Sequence, residues 1–261
     1  MIKTSSERHN LKKKLEERRK VFAAWTSFGH PSISEVFSRI GVDFVGIDLE
    51  HSTISLEQAQ QIITVCHGCG TSALPRIASH NMEMIKRVLD SGADGIIAPM
   101  VSNPSEVERL IGWCKYPPVG QRSYGVARGQ GYGFDFEEYT RSWNETSILI
   151  IQIESVQGVE NVEELLNYEE VDGAMIGPYD ISGSLGVPGQ LNHPDVVEAC
   201  KKMISACQSS RKSCGIHLVE PSLNSLQNAF SEGYTFVVLA SDVFLLWKWG
   251  ASMKDLIEKL R

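Results

Sequence analysis

The chain has 261 residues, 42% of them hydrophobic, with 25 Lys and Arg against 32 Asp and Glu, for a formal net charge of −7 and a pI near 5.6. That acidity disfavours a nucleic-acid partner, and no apolar run approaches the roughly 20 residues a membrane span needs. An amino terminus without a secretory apolar region points to the cytoplasm, and six scattered cysteines fit a reducing compartment better than a disulfide framework.

The basic run from Lys12 to Lys20 is interleaved with Glu16 and Glu17 and reads as a solvated helix. Leu11 and Leu15, spaced i,i+4, suit a helix near residues 7–19 that caps the amino end of a barrel. From residue 21 onward β-rich runs alternate with amphipathic stretches. The expected strands are 21–28, 44–50, 72–77, 95–100, 148–154, 173–178, 214–219 and 235–240, rich in Val, Ile, Leu, Ala and aromatic residues. Helical patterns follow at Ser32–Ile40, Leu56–Cys66, Met82–Leu89, Pro104–Cys114, Val159–Leu166, Val196–Cys207, Leu223–Phe230 and Val243–Leu260, several opened by Ser, Asn or Pro. A doubly wound open sheet uses similar units, but eight of them in one chain favour an α/β fold of the closed (β/α)8 TIM-barrel kind, as a single domain.

Two stretches interrupt this rhythm. Cys66-His67-Gly68-Cys69 has a metal-like spacing, yet it lacks a second ligand pair and reads as a helix end with incidental thiols; Cys200 and Cys207 read as core. Residues 117–147 form a long connection with Gly120, Gly125, Gly129, Gly131 and Gly133 around Arg122 and Arg128. Such length suggests a mobile substrate lid or a subunit contact, with a helical turn at Phe136–Trp143.

In parallel α/β folds ligands lie beyond the carboxyl ends of the strands, so polar residues there are the candidates for chemistry. The stretch Asp43-Phe44-Val45-Gly46-Ile47-Asp48-Leu49-Glu50-His51 ends a buried strand in two carboxylates and an imidazole. Arg76 ends the third strand, Glu154 follows the fifth and Asp180 the sixth. Glu154 and Asp180 come from adjacent strands and suit a hard divalent cation, Mg²⁺ or Mn²⁺, whose remaining positions water and a chelating substrate complete. A carboxylate beside His51 can fix its tautomer and raise its basicity. Arg76, always charged, calls for a substrate carboxylate or a developing oxyanion. No lysine falls near a strand's carboxyl end, which closes the Schiff-base route, and no serine-nucleophile elbow, His-Glu-x-x-His or dinucleotide fingerprint appears.

Ile47-Asp48-Leu49-Glu50-His51, Pro75-Arg76, Pro99-Met100-Val101, Tyr116-Pro117-Pro118, Gln152-Ile153-Glu154 and Ile176-Gly177-Pro178-Tyr179-Asp180-Ile181-Ser182 with Ser184-Leu185-Gly186 resemble the HpcH/HpaI family of metal-dependent aldolases over roughly residues 20–250. The resemblance implies a barrel of the phosphoenolpyruvate/pyruvate type and a homo-oligomer, a hexamer or trimer of dimers, with the last helix exchanged between subunits. It implies that Glu154 and Asp180 bind Mg²⁺, Mn²⁺ or Co²⁺, that Gln152 supports the site, and that His51 is the base. Arg76 would contact the pyruvoyl oxygens, Asp48 would orient the histidine network, and Asp90 would reach an adjoining subunit's site. Gly177, Pro178 and Tyr179 would line the substrate carboxylate pocket. The implied reaction cleaves a 4-hydroxy-2-oxo acid to pyruvate and an aldehyde. Related possibilities are a 2-oxo-acid decarboxylase, a CoA-thioester lyase, for which Arg122 and Arg128 are the available basic residues, and a non-catalytic oxo-acid-binding barrel. Tyr179 and Ser52-Thr53 depart from the family pattern and bear on substrate choice more than on reaction type.

Overall fold

The computed structural model of the chain describes residues 5–261. After helix α1 (Ser5–Glu16) come strands β1 (Val21–Thr26), β2 (Phe44–Asp48), β3 (Ser72–Arg76), β4 (Gly95–Ala98), β5 (Ile148–Ile153), β6 (Gly173–Ile176), β7 (Ser213–Leu218) and β8 (Phe236–Ser241). They are connected by α2 (Pro31–Arg39), α3 (Leu56–Gly68), α4 (Met82–Asp90), α5 (Pro104–Cys114), α6 (Phe136–Thr146), α7 (Val156–Glu160), α8 (Val162–Leu165), α9 (Pro178–Ser184), α10 (Pro194–Ser209) and α11 (Leu223–Glu232), and the chain ends in α12 (Asp242–Leu260). The strands pair in parallel in chain order, and β8 closes on β1. All eight strands fall within about two residues of their expected spans, because a strand covered on both faces is apolar throughout and its boundaries are marked by polar residues.

Outward strand residues pack under the helices in one cluster, and inward ones fill the barrel. Trp25, Phe44, Leu74, Ile97, Ile150, Met175, Phe236 and Val238 form that interior. Gly46 is required beside them, since a Cβ there would run into the Trp25 indole. Helix starts follow the local code: Ser55 with Gln58 and Asn103 with Glu106 make reciprocal capping boxes, satisfying backbone N–H groups that the helix cannot.

Helix α1 plugs the amino end of the barrel. Leu11 and Leu15 join the interior cluster, each contributing about 1.5–3 kcal/mol by burial. The expectation of a solvated basic helix fails for its inner face. Lys12 Nζ lies 2.6 Å from Asp172, Lys14 Nζ 2.5 Å from Asp43 and Arg8 Nε 3.7 Å from Asp94. These aspartates precede β6, β2 and β4, and each also accepts a backbone N–H from the preceding strand, from Leu149, Phe22 and Ala73 respectively. Thr235 plays the same part ahead of β8, accepting from the Cys214 N–H. Only the outer face of α1, with Lys13, meets solvent.

The long connection does not cover this chain's own barrel mouth. Arg122 is buried, 2.7 Å from Asp90 and packed on the Tyr116, Tyr139 and Trp143 rings. Gln130 reaches Asp90 and Tyr116, and Arg128 donates to the Ser91 carbonyl. Buried Arg122 and Arg128 hold the segment against α4 and α6, and α6 itself begins at the expected Phe136 and runs on to Thr146. At the other end of the chain, α12 leaves the barrel: Leu246, Trp247, Trp249, Leu256 and Ile257 are exposed. Among the described residues no helix is long and apolar enough to cross a membrane, and the six cysteines are free thiols.

Candidate active site

At the carboxyl ends of the strands lies a cavity of about 720 Å³. Its walls include Asp48, His51, Arg76, Gln152, Glu154, Gly177, Pro178, Tyr179 and Asp180, so every residue expected at the site is brought there except Asp90. Asp90 ends α4 on the outside of the barrel, bound by Arg122 and Gln130.

The last residues of β2 and β3 are in register, Asp48 beside Arg76. Asp48 Oδ1 accepts from Arg76 Nη2 at 2.9 Å and Nε at 3.2 Å, and from the backbone N–H groups of Glu50 and His51, each at 3.1 Å. Burial pulls the Asp48 carboxyl upward, but Arg76 and those backbone donors outweigh it and hold it below its ordinary value. Asp48 thus reaches His51 through the backbone. The carboxylate beside the imidazole is Glu50, 3.7 Å from His51 Nε2 and 3.1 Å from Arg76 Nη1. The His51 ring stands at the rim with 72% of its side chain exposed, accessible to a substrate or a water. Arg76 also lies over the Trp25 ring, 5.0 Å from its centroid, so one face and its donor edge are engaged before any ligand arrives.

Across the cavity, Glu154 follows β5 and Asp180 lies in the first turn of α9. Gly177 separates them: a Cβ at Gly177 would sit 3.1 Å from Glu154 Oε1 and 3.1 Å from Asp180 Oδ2. The two carboxylates therefore flank one small space that a larger residue would fill. Burial pushes Glu154 up to about 7, with Asp180 and Glu50 adding to the push while the Met100 N–H and Arg76 oppose it. Glu154 Oε1 accepts from Gln152 Nε2 at 2.8 Å and Oε2 from the Met100 N–H at 2.9 Å. Gln152 Oε1 is buried without a partner.

These features fit a divalent cation. Three carboxyls (Asp48, Glu154 and Asp180) line the cavity with Arg76, Glu50 stands against the same guanidinium, and Glu154, pushed up to about 7, favours holding a proton near neutrality. A cation held by Glu154 and Asp180 would replace that proton, and the unpaired Gln152 Oε1 would remain free to accept a hydrogen bond beside it. Among the described residues no three His, Cys, Asp or Glu side chains converge as a metal cluster, so Glu154 and Asp180 would be the side chains to hold such an ion.

The strand-end reading passed over His217 and Trp25. His217 lies near the end of β7, in register with Val238, and its ring is flanked by Trp25 and Phe244, with centroids 5.9 and 5.8 Å away. Burial and Arg76 lower its pKa to about 4, against Asp48 and a hydrogen bond to the Ala240 carbonyl. Nε2 is buried without a partner, which costs about 1–3 kcal/mol in a folded chain. The signal was present in Gly215-Ile216-His217-Leu218, an imidazole near a strand's carboxyl end like the others.

The barrel and this strand-end cluster define a (β/α)8 enzyme with an acidic, arginine-bearing cavity. The model of the HpcH/HpaI aldolase/citrate lyase family matches residues 22–248. The chain belongs to that family and is an aldolase, a carbon–carbon lyase. It is 31% identical over 246 residues to the hydroxypyruvate/pyruvate aldolase of Roseobacter denitrificans, covering 94% of this chain and 95% of that one. It is 30% identical to the 2-keto-3-deoxy-L-rhamnonate aldolase of Salmonella gallinarum, covering 90% and 88%. Among solved structures, an HpcH/HpaI aldolase from Desulfitobacterium hafniense superposes with a TM-score of 0.87 at 27% identity, covering 96% of this chain and 97% of that one.

Proposed function

We propose that this aldolase reversibly cleaves a 4-hydroxy-2-oxo acid to pyruvate and an aldehyde, with Mg²⁺, Mn²⁺ or Co²⁺ held by Glu154 and Asp180. The observation that carries the reading is the carboxylate pair around Gly177 facing Arg76 in one cavity. A bound divalent cation supplies Lewis-acid stabilisation of the charge that develops on the 2-oxo oxygen. Arg76, locked by Asp48, Glu50 and the Trp25 face, donates to that same oxygen without reorganising. The turn Gly177–Tyr179 lines the cavity beside the carboxylate pair and receives the substrate carboxylate. His51 takes the C4 hydroxyl proton, directly or through one water. The C3–C4 bond then breaks, C4 becomes the aldehyde carbonyl, and the electron pair passes through C3 to the enolate oxygen. The enolate takes a proton at C3 to give pyruvate.

A thioester lyase would need a basic path for the nucleotide, and the two candidates for it, Arg122 and Arg128, are buried in the connection away from the cavity. The exposed apolar length of α12 supports a homo-oligomer in which a neighbouring copy covers it. In that assembly Asp90 lies at the adjoining subunit's mouth; light scattering on a size-exclusion column that returned a monomer would remove this part of the reading.

The activity is tested by coupled pyruvate release from a panel of 4-hydroxy-2-oxo acids, after chelation and after adding back each metal. Metal-restored pyruvate is the expected result, and His51→Ala should lower it by about 10²–10⁴. Silence across the panel from metal-loaded protein would reject the aldolase reaction on these acids.

A further inference from the structure

We propose that His80 is a positioning residue for the cation site, fixing the orientation of Glu154 through the Pro99–Met100 peptide. The inference rests on the reading of Glu154 as a metal ligand and extends it to a residue that is not part of the cavity wall.

One peptide unit joins the two side chains. His80 Nε2 lies 2.7 Å from the Pro99 carbonyl oxygen. A carbonyl only accepts, so Nε2 carries the proton and donates. At the other end of the unit, the Met100 N–H donates to Glu154 Oε2 at 2.9 Å. The C=O and N–H of a trans peptide point in opposite directions, so the imidazole and the carboxylate hold one dipole from its two ends. Hydrogen bonds chained in this way polarise and strengthen one another.

That orientation is not the backbone's own preference. Met100 has φ of 53°, in the left-handed region that non-glycine residues occupy when their surroundings over-determine it. Its side chain is exposed, so burial of that chain does not account for the conformation. Turning the Pro99–Met100 peptide over would return Met100 to negative φ and aim the Pro99 oxygen at the Glu154 carboxylate. His80 opposes the turn, because the Pro99 oxygen would leave its Nε2. The residues that follow are anchored separately: the Val101 N–H donates to the Gln152 carbonyl at 3.0 Å, and the Ser102 and Asn103 N–H groups donate to Glu106 Oε2 at 2.7 and 3.2 Å. With Gln152 Nε2 on Oε1 at 2.8 Å, Glu154 has a donor on each oxygen before a cation arrives, and His80 secures one of the two.

Metal-stripped full-length protein is titrated with Mn²⁺ by calorimetry as wild type, as His80→Phe, which keeps a ring and deletes the donor, and as His80→Gln, which restores one. We expect His80→Phe to weaken Mn²⁺ binding about tenfold, the scale on which loss of a group that orients a metal ligand acts, and His80→Gln to recover most of that loss. Hydrogen exchange in the metal-free protein, read at single residues by electron-transfer fragmentation, does not depend on a cation. The Met100 amide should lose protection in His80→Phe and regain it in His80→Gln, while the Val101 amide stays protected in both. Mn²⁺ affinity unchanged in His80→Phe, or lost equally in His80→Gln, would overturn the assignment, as would a Met100 amide whose exchange does not respond.

Thermal melting establishes that the variants are folded, and His80→Ala takes the place of His80→Phe if the larger ring is not accommodated. Wild-type protein that binds no Mn²⁺ would reject the metal reading of Glu154 instead. Exchange at Met100 then decides whether His80 orients the peptide that holds this carboxylate.

Discussion

The two ends of this barrel treat the same residue type in opposite ways. At the amino end, Asp43, Asp94 and Asp172 each meet a cation from α1 and a backbone N–H from a neighbouring strand. At the carboxyl end, Asp48 and Glu50 pair with Arg76, while Glu154 and Asp180 flank one small space with no cation of their own, Glu154 is pushed up to about 7 and Gln152 Oε1 is left unpaired. Buried acids with matched partners hold a fold together, whereas buried acids without enough of them store an affinity for a cation. The barrel thus separates its structural charges from its chemical ones along its axis.

The sharpest way to expose that division is to remove an acid from the mouth. Glu154→Gln should cut metal-dependent pyruvate release by at least about 10²–10³, the scale on which loss of one preorganised electrostatic group acts. Its melting temperature should not fall, since the lost carboxylate was under-compensated. A melting temperature reduced as far as by a mutation at the amino end would erase the distinction between the two ends.

The converse experiment is Lys12→Met. It leaves Asp172 buried beside an apolar chain, with an expected cost of about 3–5 kcal/mol, or roughly 6–20 °C in a chain of this size. Turnover per folded molecule should be unchanged, as measured by active-site titration at a temperature where the variant is folded. A selective fall in kcat would show that the two ends are coupled.

The pH dependence of the metal-free protein sharpens the contrast further. Glu154 is raised from the ordinary 4.5 to about 7 in the fold, so between these values the folded chain holds a proton that the unfolded chain has released. Its contribution to stability is present in full below pH 4.5 and is lost as pH rises through 7, a change of about 3 kcal/mol. Relative to wild type, Glu154→Gln should therefore gain stability as pH rises across this window, read from urea midpoints at fixed ionic strength. The smallest effect is expected on the outer face of α1, where Lys13→Ala removes an exposed i,i+4 pair with Glu17 and should change stability by less than about 0.5 kcal/mol.

Much of the site was legible because its residues obey one positional rule. Asp48, His51, Arg76, Glu154 and Asp180 all stand at or just beyond the ends of apolar runs, and in a barrel all such positions share one mouth. His217 obeys the same rule but was passed over because it lacks a charged neighbour in sequence; its ring neighbours, Trp25 and Phe244, come from β1 and from α12. The amino-end pattern was also present in the sequence, as Val42-Asp43, Ala93-Asp94 and Val171-Asp172 ahead of alternate strands. It had no visible meaning until α1 brought Lys14, Arg8 and Lys12 to it. The long glycine-bearing connection suggested a lid or a subunit contact; against the lid, Arg122 is buried on Asp90 and aromatic rings and Arg128 donates to the Ser91 carbonyl, partners that chain distance conceals.

Sequence alone determined the number and order of strands, the carboxyl-end placement of the acidic and basic residues, and the family, because alternation of apolar runs and positions relative to strand ends are local properties of the chain. Tertiary structure decided which charges are neutralised, which face of α1 is buried, where the connection lies and which nitrogen of His217 is left unpaired. Those depend on burial and on partners up to about two hundred residues away in the chain, such as Ser213 accepted by the Leu15 carbonyl, and electrostatic cost inside a protein is set by such neighbours and by the exclusion of water.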